Sequence, residues 1–221
     1  MTTDRGMIIP VYKPKGLTSF EVVRRVRREL NLKKIGHSGT LDPLAEGLLI
    51  LLTGSETKSM TGFLKLDKEY LATLRLGVVS KSHDLETELV ERASSVEDIT
   101  SDRIDEVLRK FTGKIEQVPP DFSATWVNGK RAYKLARKGV KPDLKPKLVT
   151  VDEIRAEKIA LPMIQLRIVC SSGTYVRSLA RDIGEELGCG AVLTDLVRTR
   201  IGSYKIEEAV RIEELRLRYV A

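Results

Sequence analysis

Leu48-Leu49-Ile50-Leu51-Leu52 is the feature that most limits how this chain can fold. Five apolar residues follow one another without a polar break, in too short a run for a helix, and they read as a buried strand. The stretch before them, Gly36-His37-Ser38-Gly39-Thr40-Leu41-Asp42-Pro43, is a loop by composition. A stiff loop therefore feeds directly into the core. The chain has 221 residues, 42% hydrophobic and 31% charged, which is enough for a sizeable core and unlike a disordered or membrane chain. No stretch approaches the ~20 apolar residues of a spanning helix. The first six residues, Met1 to Gly6, lack the apolar centre of a signal peptide, so a cytoplasmic location is expected.

Other elements follow from periodicity. Ile8 to Tyr12 reads as a strand, and Lys13-Pro14-Lys15-Gly16 as a turn. Thr18 and Glu21 have capping-box spacing ahead of a helix with Phe20, Val22, Val23, Val26 and Leu30 as its stripe. That helix turns Arg24, Arg25, Arg27 and Arg28 outward, either towards RNA or merely into solvent. A strand from Tyr70 to Leu76 puts Tyr70, Ala72, Leu74 and Leu76 on one side. Residues 80–100 are polar and loop-like, and Ile104 to Phe111 reads as helical. Val118-Pro119-Pro120 breaks the chain, and Lys130 to Lys138 suggests a basic helix ending at Gly139. Two strands, 147–158 and 163–170, precede a helix opened by Gly173-Thr174. Its stripe is Val176, Leu179, Ala180, Ile183 and Leu187, with Gly188 just past its end. A last amphipathic helix is expected over 207–219. Strands and helices mix without regular alternation, which favours an α+β fold. No linker stands out, so one domain is expected over 1–221, with a core of about 6–210.

The formal net charge is +7 and the pI about 9.4, which makes an anionic partner such as nucleic acid plausible. Cys170 and Cys189 form no CxxC pair, and His37 and His83 lie far apart, too little for a Cys/His zinc site. Gly54 to Ser59 fails the phosphate-loop pattern because Lys58 follows Thr57. Gly36-His37-Ser38-Gly39 is one residue out of register for a nucleophile elbow, and no GxGxxG occurs. Hydrolase, NTPase and dinucleotide-binding classes fall away.

Asp42 is the residue with chemical promise. Glycines upstream allow a tight backbone, and Pro43 restricts Asp42 to extended geometry. One carboxylate held in a stiff loop before a buried strand suits a nucleophile or general base, though an ordinary Asp-Pro turn looks the same.

The block Gly36 to Gly47, GHSGTLDPLAEG, resembles the signature of the TruB family of pseudouridine synthases. Lys13 to Ser19 resembles the family's first motif, Lys68-Glu69-Tyr70 its Lys-x-Tyr strand, and Gln117 to Tyr133 its central block. Ser172 to Asp182 resembles its arginine-bearing helix, and Gly188 to Arg198 the segment after it. The matches run in family order. The resemblance implies a pseudouridine synthase fold, a mixed and mainly antiparallel sheet flanked by helices and loops. It implies an isomerase that converts uridine of tRNA to pseudouridine, with position 55 in the T-arm expected.

On that resemblance Asp42 is the catalytic carboxylate, Arg177 the cation that keeps it charged, and Tyr70 the aromatic that stacks on the target base. The chemical route stays open between attack on the base, attack on the sugar and glycal formation. A base within folded RNA must be extruded to react. His37 corresponds to the residue that fills the space the base leaves. Lys13 and Pro14 support the pocket wall, Leu196 is an apolar pocket residue, and Lys130 and Arg131 lie in a basic segment expected to meet phosphates. No cofactor or metal is expected. The expected partner is the T-arm stem-loop of tRNA, with no membrane and no obligate protein partner, the enzyme acting as a monomer.

Three departures stand out. Ser80 to Thr87 replaces a usually Asp- and Thr-rich segment, with Lys81 for an acid and Thr87 for a glycine, while Asp84 keeps one matching position. Trp126 stands where lysine is usual and could stack on a base or cap the core. With the sequence ending soon after its last helix, no C-terminal RNA-binding domain of the PUA type is expected, and the stand-alone bacterial form is the expectation. The competing functions are a synthase for another uridine in ribosomal or messenger RNA, a non-catalytic RNA-binding protein, and a basic structural protein.

Overall fold

The computed structural model describes residues 6–92 and 95–219, so the reading of Met1 to Arg5 lies outside the described residues. The elements in chain order begin with β1 (Ile8–Lys13), α1 (Ser19–Glu29), β2 (Ile35–His37), β3 (Glu46–Thr53), α2 (Met60–Lys65) and β4 (Lys68–Leu76). Next come β5 (Val78–Val79), β6 (Val90–Glu91), α3 (Ser101–Lys110), β7 (Gly113–Gln117), β8 (Trp126–Val127), β9 (Lys130–Arg131) and α4 (Ala132–Ala136). The rest are β10 (Lys147–Ala160), β11 (Met163–Cys170), α5 (Val176–Glu186), β12 (Ala191–Ile201), β13 (Tyr204–Lys205) and α6 (Leu215–Tyr219). They form two compact units, Met1–Tyr70 with Leu196–Ala221, and Leu71–Asp195. The mixed, mainly antiparallel α+β architecture agrees with the sequence reading. Among the described residues no helix is long and apolar enough to cross a membrane.

The first unit is built around the apolar run, which forms β3. Successive side chains of a strand point to opposite faces, so a run without polar positions needs cover on both. Leu49 and Leu51 pack with Ile9, Val11 and the α1 valines Val22, Val23 and Val26. Leu48, Ile50 and Leu52 pack with Ile201, flanked by Phe63 and Tyr204. Each such burial contributes about 2 kcal/mol. β1 pairs antiparallel along β3, from Ile8 opposite Leu52 to Lys13 opposite Gly47. β2 pairs antiparallel near the end of β3, with His37 opposite Leu51. β12 runs parallel beside its start, with Arg198 opposite Gly47.

The α1 capping box forms as the spacing implies: Glu21 N–H donates to Thr18 Oγ1 at 3.1 Å, and Thr18 N–H to Glu21 Oε2 at 2.8 Å. Phe20 departs from the expected stripe and is 65% exposed. It lies ~100° round the helix from Ser19, whose face is the buried one. Arg24 sits against its ring, 5.6 Å from the centroid.

The expected helix over 207–219 is only partly realised. Residues 215–219 are α-helical, while Ala209 and Val210 are extended or bridged. Val210 N–H donates to Pro10 O and Tyr12 N–H to Val210 O, both at 3.0 Å. Pairing with β1 takes the backbone groups that a continuous helix would use.

In the second unit β10 pairs antiparallel with β11 on one side and β7 on the other. Alternation along β4 buries Ala72, Leu74 and Leu76. Helix α5 buries Val176, Leu179, Ala180 and Ile183, and Gly188 (φ 82°) ends it with a left-handed turn. The expected basic helix over 130–138 is corrected. Lys130 and Arg131 belong to a two-stranded hairpin with Trp126 and Val127. Asn128 (φ 48°) and Gly129 (φ 76°) form its turn, the Asn-Gly pattern that suits tight hairpins. Only Ala132–Ala136 is helical.

Candidate active site

Asp42 lies, half-buried, in the loop between β2 and β3, and nearly every second residue of that loop is tethered. Ser38 N–H donates to Ile50 O at 2.9 Å, extending β2 by one bond. Ser19, buried at the start of α1, holds the peptide before Asp42 from both sides. Its hydroxyl accepts from Leu41 N–H at 2.9 Å and donates to Leu41 O at 3.1 Å. Beyond Asp42, Ala45 N–H closes a turn onto Asp42 O at 3.1 Å, and Gly16 N–H reaches Pro43 O at 2.8 Å.

Lys13 has no solvent exposure. Its ammonium donates to Pro14 O at 3.1 Å, Pro43 O at 3.4 Å and Ala45 O at 2.5 Å. All three N–H bonds of the charged form are thereby used. Burial brings its pKa from 10.5 to about 8, with Asp42 opposing the shift and Arg198 adding to it. Asp42 and Lys13 are thus electrostatic neighbours, and Pro14 serves through its carbonyl.

Arg198 is the residue the sequence reading passed over. It is 1% exposed, yet carries a full guanidinium. Nε donates to Leu48 O at 2.8 Å and Nη2 to Gly39 O at 3.2 Å. Its guanidinium is also hydrogen-bonded to the Tyr70 side chain, an interaction that opposes the downward pull of burial on its pKa. One cation joins the Asp42 loop, β3 and Tyr70. Close approach of β12 makes this possible. Gly47 (φ 104°) faces the Arg198 backbone, and a side chain there would collide with Arg198 O. The available signal was parity: Leu196 and Arg198 are both buried, two apart on one strand, so a cation on the apolar face must have carbonyl or anionic partners.

His37 ends β2 and accepts from Gly39 N–H through Nδ1 at 3.3 Å. That bond leaves the proton of the neutral ring on Nε2. Burial, and then Arg198, lower its pKa, so the imidazole is neutral at neutral pH. Tyr70 is 9% and Leu196 8% exposed. The first unit therefore gathers Lys13, Pro14, His37, Asp42 and Tyr70 about one loop and one guanidinium.

Leu196 also belongs to the first unit, whereas Arg177, Lys130 and Arg131 lie in the second. Arg177, 4% exposed on α5, donates to Ser82 O at 3.2 Å and Phe122 O at 3.0 Å, and faces Asp84 at 3.6 Å. The atypical segment 80–87 is tightly knotted. Ser82 and Thr87 exchange hydroxyl and amide hydrogen bonds, and Ser80 Oγ donates to Asp84 O at 2.7 Å. Thr87 thus builds a brace where a glycine was expected. Lys130 is exposed on the hairpin, and Arg131 lies over the Trp126 ring, 4.1 Å from its centroid.

Its matches to known sequences place the chain in the class of base-modifying isomerases, the pseudouridylate synthases. The sequence matches the profile of the TruB family pseudouridylate synthase N-terminal domain over residues 27–176. It matches that of the tRNA pseudouridylate synthase B C-terminal domain over 177–221. The chain belongs to the TruB family of pseudouridylate synthases. The tRNA pseudouridine synthase B of Phocaeicola vulgatus is 48% identical over 219 residues, covering 96% of this chain and 93% of the relative. That of Francisella tularensis subsp. tularensis is 39% identical, covering 95% and 69%. Among solved structures, a Cbf5-Nop10-Gar1 complex contains a chain similar at TM-score 0.74 and 32% identity, covering 95% of this chain and 53% of that one. An H/ACA RNP bound to a substrate RNA containing 2'-deoxyuridine gives TM-score 0.71 and 29% identity, covering 96% and 52%. The present chain spans about half the length of those two.

Proposed function

We propose that this enzyme isomerises a uridine of tRNA to pseudouridine, at position 55 in the T-arm, with Asp42 as the catalytic carboxylate. The observation that carries the reading is the tethering of the Asp42 loop at Ser38, Gly39, Leu41, Pro43 and Ala45. Pinning a loop this thoroughly favours a side chain that must meet one atom in one geometry. The tRNA substrate follows from the names of relatives that align along nearly the whole chain.

The reaction breaks the N1–C1′ bond of uridine, turns the base over, and forms a C5–C1′ bond, with the proton lost from C5 and one gained at N1. Every route, whether attack on the base, attack on the sugar or removal of a ribose proton to form a glycal, requires an ionised carboxylate near the anomeric carbon. Lys13 helps keep Asp42 charged through its own positive charge. Tyr70, oriented by Arg198, presents its ring to the target base. Arg177 is assigned to the same chemistry on the family resemblance. Reaction within folded RNA requires extrusion of the target base. The neutral ring of His37 fills the vacated space without carrying a charge into the stack. Leu196 contributes apolar wall. Lys130 and Arg131 contact phosphates, which makes affinity fall with salt. The enzyme acts as a cytoplasmic monomer without an obligate protein partner.

The test is to incubate unmodified tRNA with the enzyme and map the product. Pseudouridine at position 55 supports the reading. Modification of another uridine overturns the substrate assignment and keeps the chemistry. Tight binding without any product points to a non-catalytic RNA-binding protein.

A further inference from the structure

The whole net charge of this protein sits in one short segment. Residues 124–147 hold eight Lys or Arg and one acid, Asp143, so the rest of the chain has thirty of each sign. Lys130, Lys134, Lys138, Lys141, Lys145 and Lys147 are all exposed. A surface of this kind answers to a polyanion. Within the same segment a groove of about 720 Å³ is lined by Thr125, Trp126, Arg131, Lys145, Lys147 and Tyr175 among others. That size is in the range of sites for small organic groups, about 300–1,000 Å³.

Trp126 is 62% exposed in this groove, which is unusual for so large an apolar ring. Its position is well fixed. β8 and β9 place Trp126 opposite Arg131, whose guanidinium lies 4.1 Å from the ring centroid and donates to Ala124 O. The neighbouring Thr125 hydroxyl meets Tyr175 Oη at 3.2 Å. Tyr175 is itself clamped by Gln117, which accepts from its N–H at 2.8 Å and donates to its carbonyl at 3.1 Å. One face of the indole is backed by a cation, and the residue is otherwise largely exposed. A cation behind an aromatic ring together with a lysine-lined groove is the arrangement that stacks an unpaired base while holding its phosphates.

We propose that Trp126, backed by Arg131, is a stacking platform for an unpaired nucleobase of the RNA, with Lys145 and Lys147 binding the adjoining phosphates. This rests on the RNA-modifying reading above and adds a binding site to it. Stacking supplies base-dependent affinity that phosphate contacts alone lack. Sequence tolerance is expected, since every base has a π-face.

Trp126 is the only tryptophan of the chain, so its fluorescence reports on the platform alone. Titration with a twelve-nucleotide oligouridylate should quench that emission, while an abasic oligonucleotide of the same length and charge should bind without quenching. Trp126→Ala should weaken tRNA binding about tenfold and raise KM with kcat unchanged, and Trp126→Phe should lose threefold or less. The salt dependence of binding should keep its slope in Trp126→Ala and become shallower in Lys145→Ala. Equal quenching by the abasic probe, or tRNA binding unchanged in Trp126→Ala, would overturn the platform. Pseudouridine formation by wild-type enzyme on tRNA, measured alongside, separates the two readings. Turnover without base-dependent quenching removes the platform alone, and absence of both turnover and RNA binding removes the function itself.

Discussion

The buried guanidinium of Arg198 donates to the carbonyl of Gly39, 3.2 Å away and three residues before Asp42. A residue on β12 thereby sets the path of the loop that carries Asp42, the proposed catalytic carboxylate. The same cation bonds Leu48 O and Tyr70, so loop, core strand and aromatic side chain share one anchor. Arg198→Met should leave both carbonyls unpaired in the interior and cost about 2–4 kcal/mol of stability. Arg198→Lys should recover part of that stability and little of the turnover, because an ammonium cannot reproduce the planar fork. Urea unfolding together with single-turnover kinetics checks both.

Lys13 gives a pH signature. Its pKa in the folded chain is about 8, against 10.5 as the ordinary value. Below about pH 8 the ammonium is charged, holds three carbonyls and supports the Asp42 carboxylate. Turnover should therefore fall as pH rises through about 8, and the limb should vanish in Lys13→Arg if that variant folds. The contribution to stability has the opposite sign. Between pH 8 and 10.5 the unfolded chain binds the proton that the folded chain has lost, so this group adds stability as pH rises. Unfolding midpoints of wild type and Lys13→Met across that window measure the difference.

Ser19 is 2% exposed and pins Leu41 by two hydrogen bonds. Ser19→Ala should cost about 1–3 kcal/mol. It should also lower kcat by about tenfold to a hundredfold through a displaced Asp42, with little change in RNA affinity. Equal loss in kcat and affinity would indicate general unfolding instead, and circular dichroism at the assay temperature distinguishes the two.

In the second unit Asp84 and Arg177 are 3.6 Å apart and both under 8% exposed in their side chains. Removing one partner of a buried ion pair typically costs about 3–5 kcal/mol. Asp84→Ala should show a loss of that order in denaturant titration. Glu86→Ala, which removes the exposed partner of Arg137, should lose under about 1 kcal/mol.

Much of this was legible beforehand where local pattern and tertiary demand agree. The Leu48–Leu52 run, the capping box of α1, the alternation of β4 and the left-handed glycine ending α5 each declare themselves within a few residues. The misreadings have separate causes. The expected terminal helix lost its middle to hydrogen bonds with Pro10 and Tyr12, about two hundred residues away in sequence. The basic helix after Lys130 gave way to a hairpin because Asn128-Gly129 turns the chain just before it. Arg198 was overlooked because two of its partners are backbone carbonyls, which no side-chain motif announces. The Asp42 loop could be picked out from its residues, but its tethers to Ser19, Lys13 and Arg198 come from three distant elements.

The most direct measurement is tritium release from tRNA labelled at C5 of uridine, comparing wild type with Asp42→Asn. Both proteins should bind tRNA equally and unfold at similar denaturant concentrations. Wild type should release tritium, and the variant should release none above the enzyme-free control. Release by Asp42→Asn at a rate near that of wild type would contradict the assignment of Asp42 as the catalytic carboxylate.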